Sequence, residues 1–142
     1  MILLQHRVGR LLETRFATPI DRAELDAFDR ERARMRMQFI DERIVVMDFR
    51  RASILPPELA DTLVDVLHGP NPGLVRNGIL VPTASATVAM QLTRIVREAE
   101  SDLRRVFQGV REIEAWLGEV LDAPERRRLA QFLADDALAV GC

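Results

Sequence analysis

The sequence predicts an α/β fold: a single domain with a mixed, mostly parallel sheet of about 4–5 strands and helices packed on it. Three observations carry this expectation. Strand-like apolar runs alternate with helix-like apolar stripes along the chain. Turn and capping residues stand at the junctions. The 142 residues contain no linker, internal repeat or low-complexity tract, and one core at this length buries roughly two thirds of the unfolded surface without a disulfide or metal.

Taken in order, two short apolar clusters flank Val8-Gly9, and Leu12, Thr14 and Phe16 alternate as in a half-buried strand, so the chain opens as a hairpin. Asp21, with Glu24 three residues later, is a capping pair that starts a helix. The body of that helix carries two periods. Ala33, Met35, Met37 and Phe39 alternate with Arg32, Arg34 and Arg36, whereas Leu25, Phe28, Met35 and Phe39 form a helical stripe whose gap the Arg32 stem fills. The strong helix formers decide for helix. Ile44-Val45-Val46-Met47-Asp48-Phe49 is a nearly continuous apolar run, as in a strand covered on both faces. Pro56-Pro57 opens a helix with Leu59, Leu63, Val66 and Leu67 on one side, ending at Gly69 after His68.

The turn-rich stretch Gly69-Pro70-Asn71-Pro72-Gly73 leads into a strand from Leu74 to Val81. Thr83 is the expected cap of a helix that keeps Val88, Leu92, Ile95, Val96 and Ala99 on the 3.6 period. Arg104-Arg105-Val106-Phe107 reads as a short strand, followed by a helix turning Val110, Ile113, Trp116, Leu117, Val120 and Leu121 inward. Asp122 and Glu125 cap a last helix, with Pro124 in its first turn and Leu129, Phe132 and Leu133 facing the domain. The domain is expected over residues 1–136 and a C-terminal tail over 137–142.

Composition removes whole classes of function. With 20 basic and 22 acidic side chains the net charge is −2, which argues against nucleic acid as a partner because phosphate backbones select a strongly basic face. No apolar run approaches the ~20 residues of a membrane span. The 48% hydrophobic content and near-balanced charge exclude disorder. The start, Met1-Ile2-Leu3-Leu4-Gln5-His6-Arg7, lacks the basic leader and apolar stretch of a secretory signal, so a cytoplasmic location is expected. All 20 basic residues are Arg, with no Lys and no Tyr, which leaves Schiff-base, Walker-lysine and tyrosine acid chemistry without a carrier. The single cysteine, Cys142, cannot form an internal disulfide, a Cys-x-x-Cys pair or a thiolate cluster. No two of the 7 glycines are closer than four residues, so no phosphate-cradling glycine loop exists and no cofactor is expected.

Two stretches carry a family resemblance. Val45-Val46-Met47-Asp48-Phe49-Arg50-Arg51-Ala52-Ser53-Ile54-Leu55-Pro56-Pro57-Glu58-Leu59 is similar to an apolar strand ending in Asp, then a short loop that opens a helix. Arg104-Arg105-Val106-Phe107 through Glu114-Ala115-Trp116-Leu117 is similar to a closing strand, Phe and Glu-Ala-x-x-Trp-Leu-like helix, here without the spacer. With the order of elements, these resemble the SpoIIAA-like group of the STAS superfamily and STAS/Sec14-like bacterial domains, which include anti-sigma-factor antagonists. The resemblance implies the same α/β fold. In the antagonists it also implies a phosphorylatable Ser or Thr at the helix start, within an Asp-Ser-Ser-Gly-like motif, where an added charge of about −2 disrupts the partner interface. Pro56, Pro57 and Glu58 occupy that stretch here, so the resemblance implies a domain without the phospho-switch, in which Glu58 would supply at most a fixed negative charge. Ser53 is the nearest hydroxyl, and bonding local backbone is its simpler use.

Arg50 and Arg51 are expected just past the carboxyl end of a central strand, beside a helix N-terminus, where open α/β sheets bind ligands and anions are favoured. Arg50, Arg51, Ser53 and Glu58 are therefore the candidate site for a partner or an anion, with solvated arginines as the plain alternative. Arg94, Arg97, Arg104 and Arg105, interleaved with Glu98, Glu100 and Asp102, read as a solvated face. His6 and His68 have no carboxylate at metal-ligand spacing, so no metal site is expected. Ser85, His68 and Asp48 make a triad on paper but lack the G-x-S-x-G elbow, and no catalytic residue is assigned. Trp116 reads as core. The expected function is a non-enzymatic STAS-like regulatory or scaffolding domain acting through protein-protein contact, including self-association as a homodimer. The alternative is a Sec14-like carrier of a lipid or small anionic ligand, with Arg50 or Arg51 holding the head group.

Overall fold

The computed structural model describes residues 1–68 and 71–140, with side chains through residue 135. The helix end expected at Gly69, the Gly69-Pro70 part of the following turn, and Cys142 lie outside the described residues. Strands β1 (Ile2–His6) and β2 (Leu11–Ala17) form the hairpin, turning at Gly9, whose φ of 58° belongs to the left-handed region. Helix α1 (Arg22–Gln38) starts where the capping pair predicts. Asp21 Oδ1 accepts the Glu24 N–H at 2.8 Å, and Glu24 Oε2 accepts the Asp21 N–H at 3.1 Å. The helical stripe wins over the period-two reading, and Leu25, Phe28 and Met35 are buried on it.

Strand β3 (Arg43–Arg51) is followed by α2 (Pro57–Leu67), which buries the four predicted residues, Leu59, Leu63, Val66 and Leu67. Strand β4 (Leu74–Leu80) leads to α3 (Ala86–Ala99), capped by Ser85 rather than Thr83. The helix begins two residues later than expected, so it is the Ser85 Oγ that stands three residues before Val88 and accepts its N–H at 3.3 Å. Strand β5 (Arg104–Phe107) and α4 (Val110–Gly118) follow. Val120 and Leu121 lie in the turn after α4 instead of within it, with Leu121 buried. Helix α5 (Ala123–Val140) is closed at its start by reciprocal bonds of 2.9 Å between Asp122 and Glu125, and its backbone runs on into the segment expected as a tail.

The sheet order is β1-β2-β3-β4-β5, with β1 antiparallel to β2 and every other pair parallel. Each crossover returns to the adjacent strand, so the order never reverses. Helices α1, α2 and α3 consequently cover one face, around a core that includes Phe16, Met47, Phe49, Leu63, Ile79 and Leu92. Helices α4 and α5 cover the other, around Leu11, Ile44, Val46, Leu80, Ile113 and Phe132.

Candidate functional site

Strand periodicity decides where the arginines go. Successive strand side chains point to opposite faces, and β3 extends through Arg51, so Arg50 and Arg51 are strand residues rather than loop residues and cannot act as a pair. Arg50 points under α5. Its Nε and Nη2 donate to the two Asp48 carboxylate oxygens at 3.0 Å each, and Nη2 also donates to the Leu133 carbonyl at 2.9 Å. Arg15 reaches the same carboxylate at 3.3 Å, donates to the Phe132 carbonyl at 2.7 Å, and lies 4.2 Å from the Phe132 ring centroid. Arg50 is thus part of the seam that holds α5 to the sheet, which argues against a free ligand-binding fork there. The strand order adds a reason. An open sheet builds its ligand crevice where the order reverses, and this one has no reversal.

The same face repeats the pattern. Arg128 donates to both Glu13 oxygens at 2.8 Å, and Arg10 donates to Glu125 from its side chain at 3.0 Å and from its backbone N–H at 2.6 Å. Burial pushes the Glu125 carboxyl up, but the Arg10 and Asp122 hydrogen bonds outweigh it and hold the group below its ordinary range. Glu13, Asp48 and Glu125 are each at most 1% exposed, and each has a guanidinium partner.

The opposite face differs. A cavity of about 60 Å³ lies between the sheet and α1, reaching Val66 of α2. Its apolar wall includes Leu4, Leu12, Phe28, Met35, Val45 and Met47, and its polar wall includes Arg32, Arg36, Arg43 and Arg104. Arg43 is 5% and Arg104 8% exposed, and among the described residues no carboxylate pairs with either. Arg104 Nη1 donates to Asn77 Oδ1 at 2.7 Å, while its buried Nε has no hydrogen-bond partner. Asn77 is itself fixed by donating to the Val45 carbonyl at 3.1 Å. Arg43 Nη1 donates to the Pro72 carbonyl at 2.7 Å. Arg32 Nη2 donates to Asp29 at 3.0 Å, and its buried Nε also lacks a partner.

Burial, then the neighbouring Arg43 and Arg32, lower the Arg104 pKa to about 10. Burial, then Arg36 and Arg32, lower that of Arg43. Arg104 stays charged at neutral pH, and Arg43 repels it. Gly73 sets the rim: its φ is 88°, a Cβ there would run into the Ile40 carbonyl, and its own carbonyl accepts the Arg43 N–H at 2.8 Å.

The remaining sequence candidates lie elsewhere. Ser53 is exposed, with its Oγ 2.8 Å from Thr18 Oγ1, which also accepts the Ser53 N–H at 2.8 Å. Glu58 is exposed in the first turn of α2. Of the arginines read as a solvated face, Arg94 is solvated, at 80% side-chain exposure and 3.0 Å from Glu98, but Arg104 is buried, a correction that follows from its inward strand position. Arg105, the next residue, points to the other face and lies 5.0 Å from the Trp116 ring centroid. The paper triad is not assembled, because Asp48 is held under α5 by Arg15 and Arg50, and Ser85 caps α3. Comparison with family models, with curated proteins and with solved structures finds no match.

Proposed function

We propose that this protein is a non-enzymatic binding domain whose ligand is a small anion held in the arginine cavity beneath α1. One observation supports the reading most: Arg104, 8% exposed, lines a cavity with an unpartnered Nε, and among the described residues no carboxylate pairs with it. A buried charge without a partner is costly, and an anion from solution removes that cost. The anionic-ligand role expected from the sequence is thereby favoured, with Arg32, Arg43 and Arg104 in the place foreseen for Arg50 or Arg51. The volume of about 60 Å³ argues for a compact ligand rather than a lipid, since drug-sized molecules occupy roughly 300 Å³ or more.

The test is a set of thermal melts at fixed ionic strength in chloride against a panel of oxyanions and carboxylates. A rise in Tm with at least one anion, lost in Arg104→Met, is expected. No anion-specific shift would overturn the proposal.

A second reading, regulation through contact with a protein partner, is supported at the other end of the sheet. Ile54 and Met90 are 66% and 72% exposed there, flanking the bond from the Leu55 N–H to Gln91 Oε1. The SpoIIAA-like kinship and the cytoplasmic location belong with this reading. No helix among the described residues is long and apolar enough to cross a membrane. Ile54→Ser and Met90→Ser should abolish co-purification of a stoichiometric partner from the native host if contact is made there.

A further inference from the structure

The donors left over in the cavity are more numerous than one carboxylate can use. Arg104 spends Nη1 on Asn77, Arg43 spends Nη1 on Pro72, and Arg32 spends Nη2 on Asp29. Each retains other N–H groups, among them the two buried Nε groups that have no partner. Arg36 lines the same space. A guanidinium presents its donors as a fork, and a carboxylate has two oxygens, which one fork fills. Three guanidinium groups lining one space, two of them with an unpartnered buried Nε, call for more acceptor oxygens than one carboxylate has. Charge points the same way. Asp29 offsets Arg32 in part, but among the described residues no carboxylate ion-pairs with Arg36, Arg43 or Arg104, so the wall carries an excess that one negative charge does not balance.

Size completes the argument. A cavity needs roughly 10–15 Å³ to admit one water, so about 60 Å³ admits a few water-sized groups. A compact tetrahedral oxyanion suits that space. Phe28, Met47 and Val66 continue the wall past the arginines, giving a short apolar substituent somewhere to lie.

We infer that the cavity binds a phosphoryl group, as inorganic phosphate or a compact phosphomonoester, gripped by Arg32, Arg43 and Arg104. The inference rests on the anion-binding reading above and narrows it to one class. Position is part of the claim. Arg43 and Arg104 open their strands, so the group binds at the amino ends of β3 and β5, away from the carboxyl-end loops that carry Ser53 and Glu58.

Isothermal titration of the full chain in phosphate-free buffer at fixed ionic strength tests this, with inorganic phosphate, methyl phosphate, acetate and malonate as the probes. Phosphate or methyl phosphate is expected to bind, and whichever binds more tightly identifies the free ion or the ester as the natural form. Arg104→Met and Arg43→Met should each weaken that binding about 30-fold or more, the usual consequence of removing one buried partner of a charge. Arg94→Gln, on the outer face of α3, should leave it unchanged. Arg104→Lys keeps the charge but loses the fork, and partial binding by it guards against a folding defect in the Met variants. Binding of acetate or malonate without phosphate or methyl phosphate would overturn the phosphoryl assignment and leave the anion site standing. Binding of none of the four, with the chain folded, would overturn both, as would phosphate binding that survives Arg104→Met and Arg43→Met undiminished.

Discussion

The two faces of this sheet bury the same cation and treat it in opposite ways. Under α5, Arg15, Arg50 and Arg128 meet the buried carboxylates of Asp48 and Glu13. Under α1, Arg43 and Arg104 are the more deeply buried, at 5% and 8% exposure, yet no carboxylate pairs with them among the described residues. What separates the faces is therefore the partner and not the burial. One face is electrostatically complete as folded and serves to fix a helix. The other lacks a counter-charge among the described residues, and the proposal above supplies it as an anion from solution, which is how a binding site would differ from a structural ion pair in the same chain.

The comparison is broken most directly at Asp48. Asp48→Asn leaves the Arg15 and Arg50 guanidinium groups without their shared counter-charge under α5. Urea unfolding should show a loss of about 3 kcal/mol, the range for removing one partner of a buried pair. A loss under ~1 kcal/mol would mean that water or the helix carbonyls already serve these arginines, and the contrast between faces would fail.

Glu125 gives a smaller effect with a pH signature. Glu125→Gln keeps an acceptor for Arg10 and the Asp122 N–H but removes the charge, at a cost of about 2 kcal/mol at neutral pH. Its folded pKa lies below the ordinary 4.5. The stabilisation is thus fully present above about 4.5 and is withdrawn as pH falls toward the folded value. The parent protein should lose stability below that point more steeply than the Gln variant, and parallel profiles from urea midpoints across pH would show that Glu125 does not titrate as its surroundings require.

On the cationic face the sign changes. Arg104→Met removes a desolvated charge together with one hydrogen bond to Asn77. In anion-free buffer its stability should stay within about 1 kcal/mol of the parent, while any stabilisation by added anion disappears. A loss near that of Asp48→Asn would make Arg104 a structural group, and both faces would then obey one rule.

The elements were legible because their signals are local. The Asp21–Glu24 and Asp122–Glu125 boxes, the Pro56-Pro57 opening and the apolar run of β3 each depend on neighbours in sequence. The misplaced α3 cap shows the limit of that reading: Thr83 and Ser85 are equivalent until the first helical residue is known. The cavity was hidden for a different reason. Its arginines come from α1, β3 and β5, far apart in the chain, and only the sheet brings them together. A signal was present nonetheless. Arg32 occupies a gap in the apolar stripe of α1, and Asn77 and Arg104 sit at strand positions where the period of two calls for an inward side chain. A polar residue standing where the apolar pattern demands core marks a buried site better than a cluster of charges does. The Arg50-Arg51 pair was such a cluster, and strand alternation split it between the faces.

The smallest effects belong at the end of the sheet first singled out. The Ser53 hydroxyl lies 2.8 Å from the Thr18 hydroxyl at the surface, and Glu58 is exposed. Ser53→Ala and Glu58→Gln should each shift stability by less than about 0.5 kcal/mol, as surface substitutions away from buried partners do. Measured in the same melts, neither should alter the response to anions, because the cavity opens among α1, β3 and β5, and neither residue lines it. A changed anion response in either variant would couple the two ends of the sheet through β3. The cavity and the carboxyl-end loop would then be parts of one device, in which occupancy of the first is read at the second.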